Sequence, residues 1–356
     1  MSEKSNIEWT DSTTGPWLIC TNRSPGCGHC YSRELMLSRL QHLARKAFKS
    51  AGFTDWETRP VWGDTAPRIL TRDFRGKMLA MNRKPWIENH TGKGFSEAEL
   101  SPGFNPQWYH RRRSFPSLID WLDDMPAGMI DQDGNKLDPI AVLAEFLDTL
   151  RQCDQMTHIL CTKRPENWRK RVEAAAEHVE AFYDADSSDP LLLMWLNQWL
   201  DHEPPANVIL LASVENQEHA DKRIPQLLAI PAACRGLSLE PLLGAVDLEK
   251  YIMPTVQDVQ AIYAGEQPSW PRINWIIIGG ESGPNARPCE IGWIRSLVKQ
   301  GLAAGTSVFC KQLGAAPIEP DAEHDWRPVP GITNKKGGDP AEWPADLRVQ
   351  QFPKGF

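Results

Sequence analysis

The chain has 356 residues, 41% of them hydrophobic and 24% charged, with a formal net charge of −7. That composition is ordinary for a soluble globular protein and excludes wholesale disorder; no apolar run nears the length of a bilayer span, so no membrane partner is expected. The acidic balance gives no electrostatic case for coating nucleic acid.

The polar start MSEKSNIEWTDSTTG lacks the basic-then-apolar pattern of a secretory signal, so a cytoplasmic location is expected. In that compartment clustered cysteines are metal or redox groups before they are disulfides. The stretch WLICTNRSPGCGHCYSREL sets Cys20, Cys27 and Cys30 in a C-x6-C-x2-C spacing, in a chain with eight cysteines. Ser24-Pro25-Gly26 supplies a turn that returns Cys20 toward Cys27. The following YSRELMLSRLQHLARKAF reads as a helix.

GPWLIC is the first of seven short apolar runs that end in polar or glycine-rich residues. The others are RRSFPSLID, THILCTKRP, NVILLASVEN, CRGLSLEPLLG, INWIIIGGESG and TSVFCKQLG. Helical patterns lie between them. In DPIAVLAEFLDTLRQC, Asp138 is placed as an N-cap and Pro139 at the first helical position. PENWRKRVEAAAEHVEAFY and IGWIRSLVKQGLAAG repeat apolar residues in the same way, the second stopping at a glycine. The alternation predicts an α/β fold, a full or partial TIM-type barrel with about seven parallel strands.

Residues 1–314 are assigned to the barrel, with insertions near 91–107 and 181–205. Residues 315–356 form a proline-rich extension expected to pack on the barrel through Trp326, Trp343 and Phe352. The run His110-Arg111-Arg112-Arg113 reads as a solvated basic turn, with phosphate contact as its rival.

In a parallel barrel, chemistry gathers at the carboxyl ends of the strands. Those positions hold Asp120, Lys163, Arg164, Ser213, Glu215, Glu240, Glu281, Ser282, Lys311 and Gln312. Such carboxylates and cations on one mouth would bind a zwitterionic ligand or tune one another's protonation; the rival reading is salt bridges around the rim. Gly279-Gly280 before Glu281 lets backbone approach a ligand closely or serves a tight turn. Cys153, Cys161, Cys234, Cys289 and Cys310 are read as small buried hydrophobes.

A closed zinc site wants four ligands, and His29 is too close in sequence to Cys30 to share one tetrahedral ion with it, so a remote fourth ligand would be required. An iron–sulfur cubane needs one thiolate per iron, so three cysteines leave one iron open for a substrate or cofactor.

IEWTDSTTGPWLICTNRSPGCGHCY, VWGDTAPR, LCTKRPENW, ASVENQEHADKRIPQLL, LSLEPLLGAVDL, IIIGGESGPNARP and FCKQLG together resemble, in this order from Ile7 to the tail, the phage gene product 37/68 family, the three-cysteine-motif proteins. The resemblance implies a fold and cluster loop like those of the radical S-adenosylmethionine enzymes, at work in a bacterial cell or a phage-infected host. The loop departs from the usual C-x3-C-x2-C, with His29 in the aromatic position, and Gly279-Gly280-Glu281 falls late in the chain. On this reading Cys20, Cys27 and Cys30 hold a 4Fe–4S cluster whose open iron binds S-adenosylmethionine, and an electron donor is a required partner. Ser213, Glu215, Glu240, Gly279, Gly280 and Glu281 are the expected cofactor contacts. Asp120, Lys163, Arg164, Ser282, Lys311 and Gln312 are the expected contacts to a small-molecule or nucleotide substrate, a nucleic-acid base included. The alternatives are a zinc-dependent hydrolase or nucleotide-processing enzyme, and a non-catalytic binding module stapled by its metal.

Overall fold

The computed structural model describes residues 4–83, 111–182, 190–266, 272–321 and 325–355. Six of the seven apolar runs pair side by side, because each is a short stretch of aliphatic and aromatic residues closed by a polar residue or glycine. With one short polar strand they form a single sheet: β1 (Ser12–Thr13), β2 (Arg112–Phe115), β3 (Met156–Thr162), β4 (Val208–Ser213), β5 (Cys234–Leu239), β6 (Trp275–Gly279) and β7 (Ser307–Gln312). The spatial order equals the chain order and every pairing is parallel. The sheet curls into a half-barrel, a partial TIM-type barrel.

The first apolar run is the exception. Its Trp17–Leu18 pairs antiparallel with Arg68–Leu70 in a separate sheet completed by Met129–Ile130 and Lys136–Leu137. The edge position of the half-barrel goes instead to Ser12–Thr13, held by polar bonds: the Thr10 and Ser12 hydroxyls donate to the Arg113 carbonyl at 3.0 and 3.3 Å. A strand fixed by hydroxyls leaves no apolar run to read.

Helix boundaries follow local chemistry. Asp138 accepts the Ile140 N–H at 2.9 Å and caps Pro139–Gln152, while Asn216 accepts the His219 N–H at 3.1 Å and caps Gln217–Leu228. Ile291–Ala303 ends just before Gly305, whose φ of 69° closes the helix. The helix after the cysteines runs from Tyr31 to Ser50, widening to a π turn over Met36–Leu40.

Successive strand residues face opposite sides. Leu160, Leu210, Ala212, Leu237, Ile276 and Val308 join the helix-side core. Ile159, Ile209, Leu211, Trp275, Ile277 and Phe309 face the concave side, where Trp9 packs among them. Both faces are buried, so the strands read as continuous apolar runs. The Trp9 and Trp275 rings lie 6.1 Å apart, and Trp275 lies 5.7 Å from Phe352. Segments from both ends of the chain therefore plug the lower half of the concave side.

The basic run is neither a solvated turn nor a phosphate contact at Arg112 and Arg113, which are buried on β2. Interior strand positions exclude water, so the charge needs a partner: Arg113 pairs with Asp11 at 3.2 Å and lies over the Phe352 ring at 3.8 Å. The insertion near 91–107 lies outside the described residues. Within 181–205, the helix Leu191–Leu200 buries Leu196 and Trp199, and the Trp199 ring stacks on Trp121 at 6.3 Å.

In the tail Trp343 is fully buried and donates its indole N–H to the Gly337 carbonyl at 2.8 Å. Trp326 is no anchor: it lies on the outer strand of a small three-stranded sheet and is 56% exposed. Among the described residues no helix is long and apolar enough to cross a membrane. Trp343→Ala, which deletes a buried ring, is expected to lower the unfolding free energy by about 3–5 kcal/mol. Trp326→Ala should change it by less than about 0.5 kcal/mol. Urea unfolding of the two variants checks the contrast.

Candidate functional site

The cysteine loop leaves the Trp17–Leu18 strand and enters the helix at Tyr31, and all three of its thiols are free. Ile19 stands just before it at φ 79°, a left-handed conformation that a β-branched residue adopts only when packing over-determines it. Ile19 is fully buried, and its backbone sets the direction in which Cys20 leaves. A turn at Pro25–Cys27 follows, with Cys27 N–H donating to the Ser24 carbonyl at 2.9 Å and Cys30 N–H to the Cys27 carbonyl at 3.4 Å. The Cys27 Sγ accepts the Arg23 N–H at 3.4 Å.

This loop lies over the carboxyl ends of β3, β4 and β6 and is fastened at three points. Near Cys20, Thr21 meets Arg164, whose guanidinium lies 4.0 Å from the Cys20 sulfur and pairs with Asp120 at 2.7 Å and Asp123 at 3.1 Å. Arg68, fully buried, is the second cation on Asp123. Asp120 also accepts the Thr162 hydroxyl at 2.7 Å and the Lys163 N–H at 2.9 Å.

In the middle, Ser24 donates to Glu215 at 2.6 Å. Glu215 is fully buried and also binds Lys163 and, at 2.7 Å, Arg223. Burial alone would raise its pKa, but the Lys163 and Arg223 charges outweigh this and hold it down at about 2. Position 26 tolerates only glycine here, since a Cβ would lie 2.6 Å from a Glu215 oxygen.

At the third point Glu281 takes His29 Nδ1 at 2.9 Å, and Arg287 through its backbone N–H at 2.9 Å, Nε at 3.0 Å and Nη2 at 2.5 Å. Arg287 Nη1 donates on to the Pro25 carbonyl at 2.9 Å. Against the cost of burial, these bonds hold Glu281 at about 2 as well. Burial, with Asp120 and Asp123 nearby, pushes the Cys20 thiol up to about 12; burial also raises Cys30, which feels Cys27 and Lys163.

The residues singled out in the sequence thus fall into two groups. Asp120, Arg164, Glu215 and Glu281 are buried and paired with protein groups, and Gln312 donates to the Gly280 carbonyl at 2.7 Å. Ser213 is buried at the end of β4 and accepts from Lys163 Nζ at 2.7 Å. Ser282 lies exposed on the loop beyond. Gly279 and Gly280 serve close packing: a Cβ would meet a Glu240 oxygen at 2.8 Å in the first and the Leu313 carbonyl at 2.2 Å in the second.

The groups reaching the mouth are Lys163, Lys311 and Glu240, the last two paired at 2.8 Å. Burial lowers the Lys311 pKa, but Glu240's charge and hydrogen bond raise it further, so the net shift is upward. Half-buried Cys161 feels the charges of Lys163, Asp120, Glu240 and Glu215 together.

Sequence reasoning missed Asp123, Arg223 and Arg287, and the carboxylate partners of Ser24 and His29. A signal existed: a carboxylate buried at a strand end demands a cation, and Arg223 and Arg287 are the cations nearest in sequence downstream of Glu215 and Glu281, apart from Lys222.

Among the described residues no three His, Cys, Asp or Glu side chains converge as ligands of one ion. The three thiols instead surround the end of β3, Cys20 beside Arg164 and the Cys27–Cys30 turn beside Lys163.

A family model described as a protein of unknown function (DUF5131) matches residues 4–78 and 127–337. No curated protein and no solved structure matches the chain.

The two depressed carboxylates fix the sign of the acid response. Both titrate near 4.5 when unfolded and near 2 when folded, so the unfolded chain takes up protons first as pH falls. Their stabilisation is complete above the unfolded value and is lost as pH drops from about 4.5 toward about 2. Urea midpoints measured from neutral pH downward should fall through that window. Glu215→Gln should lower the midpoint at neutral pH and flatten the acid fall.

Proposed function

The chain belongs to the DUF5131 family, and from its site we propose a radical S-adenosylmethionine-like iron–sulfur enzyme of the phage gene product 37/68 kind. The observation that carries this reading is the placement of Cys20, Cys27 and Cys30 at the carboxyl-end mouth of a parallel half-barrel, beside Lys163 and Arg164. Three cysteines suit a 4Fe–4S cluster by ligand number: a cluster takes each thiolate on a separate iron, whereas a lone zinc needs four ligands on one point. When bound, such a cluster supplies an open iron and an electron to S-adenosylmethionine, the source of a hydrogen-abstracting radical.

The chain's own residues have separable tasks in this scheme. Lys163 and Arg164 bring positive charge to thiols that are otherwise held protonated by burial and by Asp120 and Asp123. Lys163, Lys311 and Glu240 face the mouth with both signs of charge, the complement of a zwitterionic cofactor and an anionic small molecule or nucleotide. The plug of Trp9, Trp275, Phe309 and Phe352 closes the concave side below and excludes water from that direction. A reducing cytoplasm with an electron donor is the setting this scheme needs, and all eight cysteines are free.

The test is anaerobic reconstitution with iron and sulfide, followed by metal and sulfide analysis. About four irons and four sulfides per chain are expected, with brown absorbance that bleaches on reduction. Cys27→Ala and Cys30→Ala should abolish the absorbance yet unfold cooperatively, because the half-barrel core stands without a metal. Cys161→Ala should keep the cluster. One tightly held zinc and no sulfide in the wild type would sink the proposal in favour of a zinc enzyme.

A further inference from the structure

Glu281 follows two glycines at the end of β6, a position from which a carboxylate could reach a bound ligand. Its bonding capacity points elsewhere. A carboxylate offers about four lone-pair sites, and Glu281 already accepts four hydrogen bonds, one from His29 and three from Arg287. Oε2 takes three of them and Oε1 one, and the carboxyl is only 4% exposed, so burial beneath His29 and Arg287 keeps a ligand's ammonium group away. Arg287 then reaches the Pro25 carbonyl, and His29 precedes Cys30, so the carboxylate grips both ends of the Pro25–Cys30 turn.

Cys20 is held by different means. Its neighbours are Ile19 in its packed left-handed conformation, Thr21 and the Arg164–Asp120–Asp123 group, none of which touches Glu281 through a described hydrogen bond. The loop is thus anchored independently on its two sides.

We infer that Glu281 is a positioning residue that acts through His29 and Arg287 to seat Cys27 and Cys30, and that it makes no contact with cofactor or substrate. The inference takes its meaning from the cluster reading, yet it concerns the metal-free loop and is tested there. Arginine suits the task because its planar fork serves Glu281 through Nε and Nη2 and the Pro25 carbonyl through Nη1 in one fixed geometry.

The experiment is alkylation of the metal-free full chain with iodoacetamide, followed cysteine by cysteine by peptide mass spectrometry. Glu281→Gln, His29→Ala, Arg287→Ala and Arg287→Lys are compared with the wild type. His29 and Arg287 are partly exposed, so their variants are expected to fold even if the buried Glu281→Gln does not. Alkylation at Cys27 and Cys30 should rise roughly tenfold, the consequence of losing one charged hydrogen bond from the closed loop. Cys20 and Cys161 should keep their wild-type rates. Arg287→Lys should not rescue Arg287→Ala.

A rise at all four cysteines together would show general loosening and overturn the inference. Unchanged rates at Cys27 and Cys30, with weakened binding of S-adenosylmethionine, would make Glu281 a ligand contact and overturn it too. A wild type that reconstitutes with zinc alone would end the cluster reading and leave these rates interpretable.

Discussion

A carboxylate taken out of water must be met by cations and hydrogen-bond donors, and at the carboxyl ends of β3, β4 and β6 that requirement organises the site. Asp120 follows β2, Glu215 β4 and Glu281 β6 into a region with little solvent, and each is answered by arginine or lysine. The loop bearing Cys20, Cys27 and Cys30 is tied to all three through Thr21, Ser24, His29 and the Pro25 carbonyl. Its position is therefore tied to the strand ends of the sheet.

Compared with apolar residues of the same volume, such buried pairs gain little, because desolvation of both partners offsets much of their attraction. What they contribute is uniqueness. Removing one partner strands the other, so the arrangement resists slippage even where its net energy is small. Gly26 sharpens this further, since a side chain there would collide with Glu215. The charge distribution follows the same logic: a chain of net charge −7 places Lys163, Arg164, Arg223 and Arg287 together around its thiols.

The concave face divides by height. Its lower half is aromatic and aliphatic, filled by Trp9 from the start of the described chain and Phe352 from its end. Its upper half carries Cys161, Lys163, Ser213, Glu240 and Lys311, with Glu240 packed close against Gly279. Strand alternation links the two halves, because every second residue of β3 to β7 must point inward. A rigid apolar floor beneath a charged mouth holds the polar groups in place without spending backbone flexibility on them.

The parallel α/β architecture was legible from residue order because β3 to β7 are buried on both faces and read as unbroken apolar runs, while Asp138-Pro139 and Gly305 mark helix ends by local chemistry alone. The strand-end charges were legible from strand direction, whereas the cysteine loop leaves a strand of the separate sheet, so its place over the mouth was decided by tertiary contacts. Ser12–Thr13 escaped notice because hydroxyl bonds to Arg113 replace the apolar signal, and Arg112 and Arg113 looked solvated because nothing local shows that β2 is an interior strand. The division between charges that face the mouth and charges that lock the loop was decided by tertiary structure. It depends on contacts such as His29 with Glu281 and Ser24 with Glu215, between residues 252 and 191 positions apart, and only the closed fold brings these partners within reach.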